Sequence, residues 1–178
     1  MSLMNTIKKT GRSIEQAVVG KGAADQTDDM DILDKLKQEH EEATELLETI
    51  ATSESGSERK SALKKLKPAL IKHLRAEGKV VYNALAATKD KETKQDAAEG
   101  HLEHDIAERT LLQLLKIQNA MSPEFGATAK VLKELVEHHV KEEESQIWSE
   151  VRENFSADDR MQMNRDFEAA KKKVKIPA

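Results

Sequence analysis

The chain has 178 residues, of which 35% are charged, 3% are aromatic and none is cysteine. Its 29 basic and 33 acidic residues leave a net charge of −4, which argues against binding along a nucleic-acid backbone, since that needs a basic surface. The missing thiols exclude disulfides, iron–sulfur clusters and thiolate zinc sites, and without a run of about 18 apolar residues no membrane span is expected.

With 7 Gly and 3 Pro, the composition favours long amphipathic helices over sheets. Residues 1–27 carry Gly11, Gly20 and Gly22 with little periodicity and are expected to form a flexible arm. Lys8, Lys9 and Arg12 are followed by no unbroken apolar stretch, so no signal peptide is expected and the cytoplasm is the expected compartment. A first helix should start among the acids at Asp28–Asp31, where the helix dipole favours negative charge. Its seam reads Leu33, Leu36, His40, Ala43, Leu47 and Ile50, with His40 standing where leucine is expected. Ser53–Ser57 is expected to be a loop.

A second helix is expected from about Ser57 to Thr88, with Leu63, Leu66, Leu70, His73, Glu77, Val80 or Val81, and Ala84 inward. Pro68 removes a backbone donor, so a kink there, or the true helix start, is expected. After a polar turn at Lys89–Thr93, a third helix should run to about Ala120. It offers two seams. One reads Ala97, Gly100, His104, Ala107, Leu111 and Leu114; the other reads His101, His104, Glu108, Leu111 and Leu115. Ser122-Pro123 has the chemistry of an N-cap and first helical residue. It opens a fourth helix to about Asn154, with Leu132, Leu135 or Val136, His139, Glu143 and Ile147 inward. Ser156 and Asp159 should cap a fifth helix, packed through Met161, Met163, Phe167 and Val174. Its basic end, Lys171–Lys173 and Lys175, reads as solvated. The layout is thus an arm at 1–27, a bundle at 28–155 and a C-terminal helix at 156–178.

The chain also repeats itself. His73–Tyr82 aligns without a gap on His139–Trp148, pairing His73 with His139, Glu77 with Glu143, and Tyr82 with Trp148. Glu39-His40 likewise pairs with Glu103-His104. Residues four apart share a helix face, so each His-x3-Glu points an imidazole and a carboxylate the same way. Seating His instead of Leu forgoes about 1.5–3 kcal/mol of apolar burial per site. Burying Glu77 and Glu143 without partners costs several kcal/mol more, and no Arg or Lys shares their seams. A pair of metal ions would neutralise them. Nitrogen and oxygen donors suit iron, manganese or zinc, and facing bundle helices build such dinuclear sites. Two carboxylates would bridge the ions, with two histidines capping each. Glu39, Glu103, Glu142 and Tyr82 are candidates to hold the ligands in place. His138-x3-Glu142 is a rival pair for His139-x3-Glu143, but the repeat favours the latter.

These motifs, spread over about residues 28–155, resemble the hemerythrin-like HHE cation-binding family. The resemblance implies an all-α, antiparallel up-down four-helix bundle, here with an additional C-terminal helix, holding two iron ions with an oxo or hydroxo bridge. It implies His40, His73, His104 and His139 as terminal ligands and Glu77 and Glu143 as bridges. Oxygen-carrying members place a second histidine one turn after that of the third helix, where this chain has Glu108. Their second bridge falls at the position of Glu144, whereas Glu143 matches the HHE-type proteins. Both departures favour handling or sensing of oxygen, peroxide or nitric oxide over simple oxygen carriage. The alternative is an iron- or redox-sensing module that engages a protein partner without turnover, so the sequence leaves open whether the chain is an enzyme. His101, Glu108, Tyr82 and His138 stand as further residues that could touch the metals or their ligands. Small molecules such as O2, H2O2 or NO are the expected ligands, and neither nucleic acid nor membrane is an expected partner.

Overall fold

The computed structural model describes residues 30–177. The expected arm at 1–27 lies outside these residues, as do Asp28 and Asp29. The elements are α1 (Ile32–Thr52), α2 (Gly56–Glu77), a π-helical turn π1 (Gly78–Tyr82), α3 (Asn83–Ala86), α4 (Lys91–Leu114), α5 (Pro123–Glu142), a second π turn π2 (Glu143–Ile147), α6 (Trp148–Asn154) and α7 (Ala157–Lys173). α2, π1 and α3 form one continuous rod, and α5, π2 and α6 form another. The chain is therefore a hemerythrin-like helical bundle of four rods with α7 as a fifth helix. No described helix is long and apolar enough to cross a membrane.

Local chemistry sets the helix starts. The side chains of Asp31, Ser55, Asp90, Ser122 and Ser156 each accept a hydrogen bond from an otherwise unpaired backbone N–H of the first turn. Ser156 and Asp159 complete a capping box.

Neighbouring rods run antiparallel. Glu48 pairs with Lys133 while His40 meets Glu144, and Glu103 meets His139 while Asp96 meets Gln146. Arg59 ties off one end, donating to the carbonyls of Ser53, Ala51 and Ala120.

The predicted seams of α1 and α5 are buried, with Val136 inward rather than Leu135. In α4 the first of the two seams faces the core, from Ala97 and Gly100 through His104 to Leu114.

Three boundaries differ from expectation. The helix runs unbroken through Pro68 and starts well before it. α4 stops at Leu114, not Ala120: Lys116 N and Ile117 N turn back to the carbonyls of Gln113 and Leu114, and further on Asn119 Oδ1 accepts from Met121 N at 3.0 Å and Ser122 Oγ donates to the Asn119 carbonyl at 2.9 Å. The regular α-helix is instead interrupted at the two π turns, π1 directly after Glu77 and π2 beginning on Glu143, as is frequent at functional sites. The extra residue shifts the seam, so Val81, Tyr82 and Leu85 are buried and Ala84 is not.

Two apolar clusters fill the bundle. One gathers Leu47, Ile50, Leu66, Leu111 and Leu132. The other gathers Leu36, Tyr82, Trp148, Val151 and Phe167. Along α1, His40 falls between Leu36 of one cluster and Ala43 of the other, so a polar layer interrupts the core there. α7 lies against α1, α2 and π1 and seals that side with Met163, Phe167 and Ala170.

Candidate metal centre

The six buried positions singled out by the repeat meet in that polar layer. Glu77 is 0% and Glu143 1% exposed, and the four histidines are nearly as buried. Glu77 Oε2 lies 3.2 Å from His73 Nε2 and 3.4 Å from His104 Nε2. Glu143 Oε2 lies 3.1 Å from His40 Nε2 and 3.6 Å from His139 Nε2. Each carboxylate therefore touches one histidine from each half of the chain. The histidines themselves pair within halves: the rings of His40 and His73 are 5.0 Å apart, and those of His104 and His139 are 4.7 Å apart. Two groups of ligand atoms close enough for one cation result, His40–His73–Glu77 and Glu77–His104–His139, sharing Glu77.

The outward-facing nitrogens explain the orientation. Three imidazoles donate Nδ1–H to a carboxylate: His40 to Glu144 at 3.1 Å, His73 to Glu39 at 3.2 Å and His139 to Glu103 at 2.8 Å. A carboxylate acceptor requires the proton on Nδ1, which turns Nε2 inward. Glu39 and Glu103 follow one rule: each precedes a cluster histidine and holds the histidine of the next rod. Tyr82 donates its hydroxyl to Glu143 Oε1 at 2.9 Å. Its ring lies so close to α4 that a Cβ on Gly100 would fall 2.4 Å from Cε1, a close approach only glycine allows. Trp148 stacks on His40, with centroids 6.1 Å apart.

Electrostatics favour charge on several groups of this layer despite burial, while at His104 burial wins and lowers the pKa below its ordinary value. Burial opposes charge on His73, but Glu77 and Glu39 outweigh it and push its pKa up to about 10. Burial also opposes charge on Glu39, yet His73 and Lys171 hold its carboxyl down to about 2. Glu77, against the same burial, is held well below the usual carboxylate range by His73 and His104. Burial raises the Tyr82 hydroxyl well above its ordinary value, helped by Glu143 and Glu77, so it remains a donor.

The donor set fits a pair of cations. His40 Nε2, both oxygens of Glu77 and Glu143 Oε2 are buried without a hydrogen-bond partner, and an isolated buried polar group costs several kcal/mol. Of these, His40 Nε2 and Glu143 Oε2 face each other, and Glu77 Oε2 faces His73 and His104. A cation between each histidine pair would satisfy them together.

The remaining candidates stand apart from the cluster. Glu108 is taken by Arg75, whose Nε donates to it at 2.9 Å and whose second nitrogen makes a further bond. His101 bonds Asn83 at 3.2 Å and packs beside Gly78. His138 does pair with Glu142, at 3.2 Å, but on the surface. Sequence reasoning missed Glu144 as the partner of His40, and it missed Lys171. The basic end of α7 is not wholly solvated: Lys171 Nζ bonds Glu39 and Glu168. The repeated Glu-His dipeptide was the available signal for Glu39 and Glu103. Lys171 had none, because its contact joins α7 to α1 across the fold.

Fold and cluster together define the class, an all-helical bundle protein with a cation-binding His/Glu cluster in its core. The sequence profile of the Hemerythrin HHE cation binding domain matches residues 31–150, and the chain belongs to that family. It is also 25% identical over 146 residues to a DNA nickase of Nostoc sp. (strain PCC 7120 / SAG 25.82 / UTEX 2576), a match covering 82% of this chain and 40% of that protein. The chain thus spans less than half the length of that curated relative. No solved structure matches it significantly.

Proposed function

We propose that the chain holds two iron ions, one between His40 and His73 and one between His104 and His139, bridged by Glu77 and Glu143, and handles or senses oxygen, peroxide or nitric oxide there. The observation that carries this reading is the position of each buried carboxylate between one histidine of either half. When bound, such ions supply Lewis acidity and electrons. The chain's own groups orient the imidazoles through Glu144, Glu39 and Glu103, hold Glu143 through Tyr82, and exclude water with the two apolar clusters. A cavity of about 330 Å³ reaches His40, His73 and His139 between Ala43, Leu70 and Val140, so a small neutral or anionic molecule has a way in. Iron analysis should find two ions per chain. Hydrogen peroxide turnover that disappears in His73→Ala and Glu143→Ala would establish handling; a chain without iron would sink the reading.

The sensing alternative draws on Lys171, which links α7 through Glu39 to His73. Iron binding without turnover, accompanied by a changed protease sensitivity of α7, would favour it. We propose no role in DNA nicking. The nickase match covers 40% of that protein, and the six residues are buried in the bundle core. Nicking of supercoiled plasmid by the purified chain would overturn this.

A further inference from the structure

Two openings approach the cluster, and they differ in charge. The 330 Å³ cavity on the α1, α2 and α5 side carries mixed charge, Lys65, Lys72 and Lys171 beside Glu39 and Glu42, with Lys171 paired to Glu39. Lys65 and Lys72 make no ion pair among the described residues. The second opening, between α4 and α5, holds about 90 Å³, room for roughly three waters at about 30 Å³ each. It is much smaller than the first cavity.

The chemistry of the second opening changes along its length. Its outer wall is Asp96, Glu99, Glu103 and Glu142, and its inner wall includes Tyr82, His139 and Glu143; no lysine or arginine lines it. At the mouth, ligand atoms of Glu103, His138 and Glu142 all lie within 4.8 Å of one another. This is a mixed nitrogen and oxygen donor set, the same type as the buried cluster. At the inner end, Glu143 Oε2 is buried without a hydrogen-bond partner. Glu103 joins the two, being both a mouth residue and the acceptor of His139 Nδ1–H at 2.8 Å. The repeat places Ala76 where the second half has Glu142, and α7 covers that face of the first half. Among the described residues, this acidic lining is seen in the second half.

We propose that Glu103, His138 and Glu142 form a transient divalent-cation site at the mouth of this acidic passage, through which metal ions reach the buried cluster. The inference rests on the two-metal reading above. Acidic walls raise the local cation concentration and the capture rate. The mixed ligands strip part of the hydration shell, and the unpartnered Glu143 Oε2 draws the ion inward.

The test follows filling of the full chain by Co2+ in stopped flow, together with the final metal content. The variant H138A/E142Q changes two exposed side chains, 62% and 49% accessible, and leaves all six buried residues intact. It should fill about tenfold more slowly and reach the same two ions per chain. A control, E41Q/E45Q on the outer face of α1, should fill at the wild-type rate. A second arm titrates Mn2+ into protein whose buried cluster already holds Zn2+, and electron paramagnetic resonance should show a further weak site that H138A/E142Q lacks. Equal filling rates in wild type and H138A/E142Q, with two ions bound in each, would overturn the port and leave the centre standing. An equal slowing in E41Q/E45Q would overturn it in favour of overall charge. Wild-type protein that binds no tight Co2+ would overturn the two-metal reading, and the port with it.

Discussion

His40 and His104 occupy matching places in the two halves of the bundle, each following a glutamate that holds the next cluster histidine along the chain. His40 donates its own Nδ1–H to Glu144. The gapless repeat puts Gly78 in that place in the other half, and His104 Nδ1 is buried without a partner. A Cβ on Gly78 would lie 3.7 Å from His104 Nδ1 and 3.2 Å from the ring of His101, which fills the space. One half is therefore fully buttressed, with Lys35 and Lys171 behind Glu39 and α7 over its face. The other lacks one buttress and carries the acidic opening. An unoriented imidazole is a weaker metal ligand, so the His104–His139 position should be the one that exchanges its ion.

The largest effects should come from the residues the halves share. Glu77→Ala or Glu143→Ala removes a carboxylate that touches both histidine pairs, so both positions should empty together. His104→Ala should leave the ion between His40 and His73. Metal analysis of the purified variants checks this, and a Glu77→Ala protein that retains both ions would break the bridging arrangement.

That these six residues meet could be read from the chain, because they sit on α1, α2, α4, α5 and the first residue of π2 at helical spacing, and a repeat marks them twice. The rest depends on events a linear pattern does not carry. The π turns insert a residue without a glycine or proline signal common to both, so the seam beyond Glu77 was read out of phase. Pro68 reads as a kink or a helix start, and the helix starts at Gly56 instead. Glu108 shares a possible seam with His104, yet Arg75 from α2 claims it. The choice between the α4 seams rested on Gly100, whose missing side chain admits the Tyr82 ring, a contact between rods.

The next effect concerns pH and separates the halves by charge. With metal removed by a chelator, His73 has a pKa raised to about 10 from an ordinary 6.5. Its contribution to stability is full below about pH 6.5 and fades as pH rises through about 10. Glu39 is lowered to about 2 from 4.5, so its contribution is present above about pH 4.5 and fades as pH falls through about 2. The melting temperature of chelated protein should be highest between those limits and fall on the alkaline side. In the metal-loaded protein the alkaline fall should disappear, since the His73 Nε2 lone pair is then committed to the ion. An unchanged alkaline limb on loading would count against His73 as a ligand.

A smaller effect comes from exchanging the one difference between the halves. Glu144→Gln leaves His40 with a neutral partner, and affinity at the His40–His73 position should fall by about 10–100-fold. The converse variant, Gly78→Glu with His101→Ala to clear the space, should tighten the His104–His139 position and slow its metal exchange. Competition with a chromophoric chelator reads both. If Glu144→Gln weakens only the His104–His139 position, the assignment of partners is wrong.

The smallest effect should be that of Lys171→Met, which keeps most of the unbranched side chain and removes its charge. Lys171 does not touch the cluster; it acts on His73 through Glu39, and Lys35 remains 3.1 Å from the same carboxylate. Ion pairs with some solvent access are worth about 0.2–1 kcal/mol, so metal affinity at the His40–His73 position should drop by no more than about fivefold. Glu39→Gln alone should cost more, because it weakens the bond to His73 itself. In the double variant the Lys171 effect should vanish, since a lysine acting through Glu39 has nothing left to act on. Should it persist there, α7 stabilises the centre by covering it, and the sensing alternative loses the charged link that would carry a signal from metal to helix.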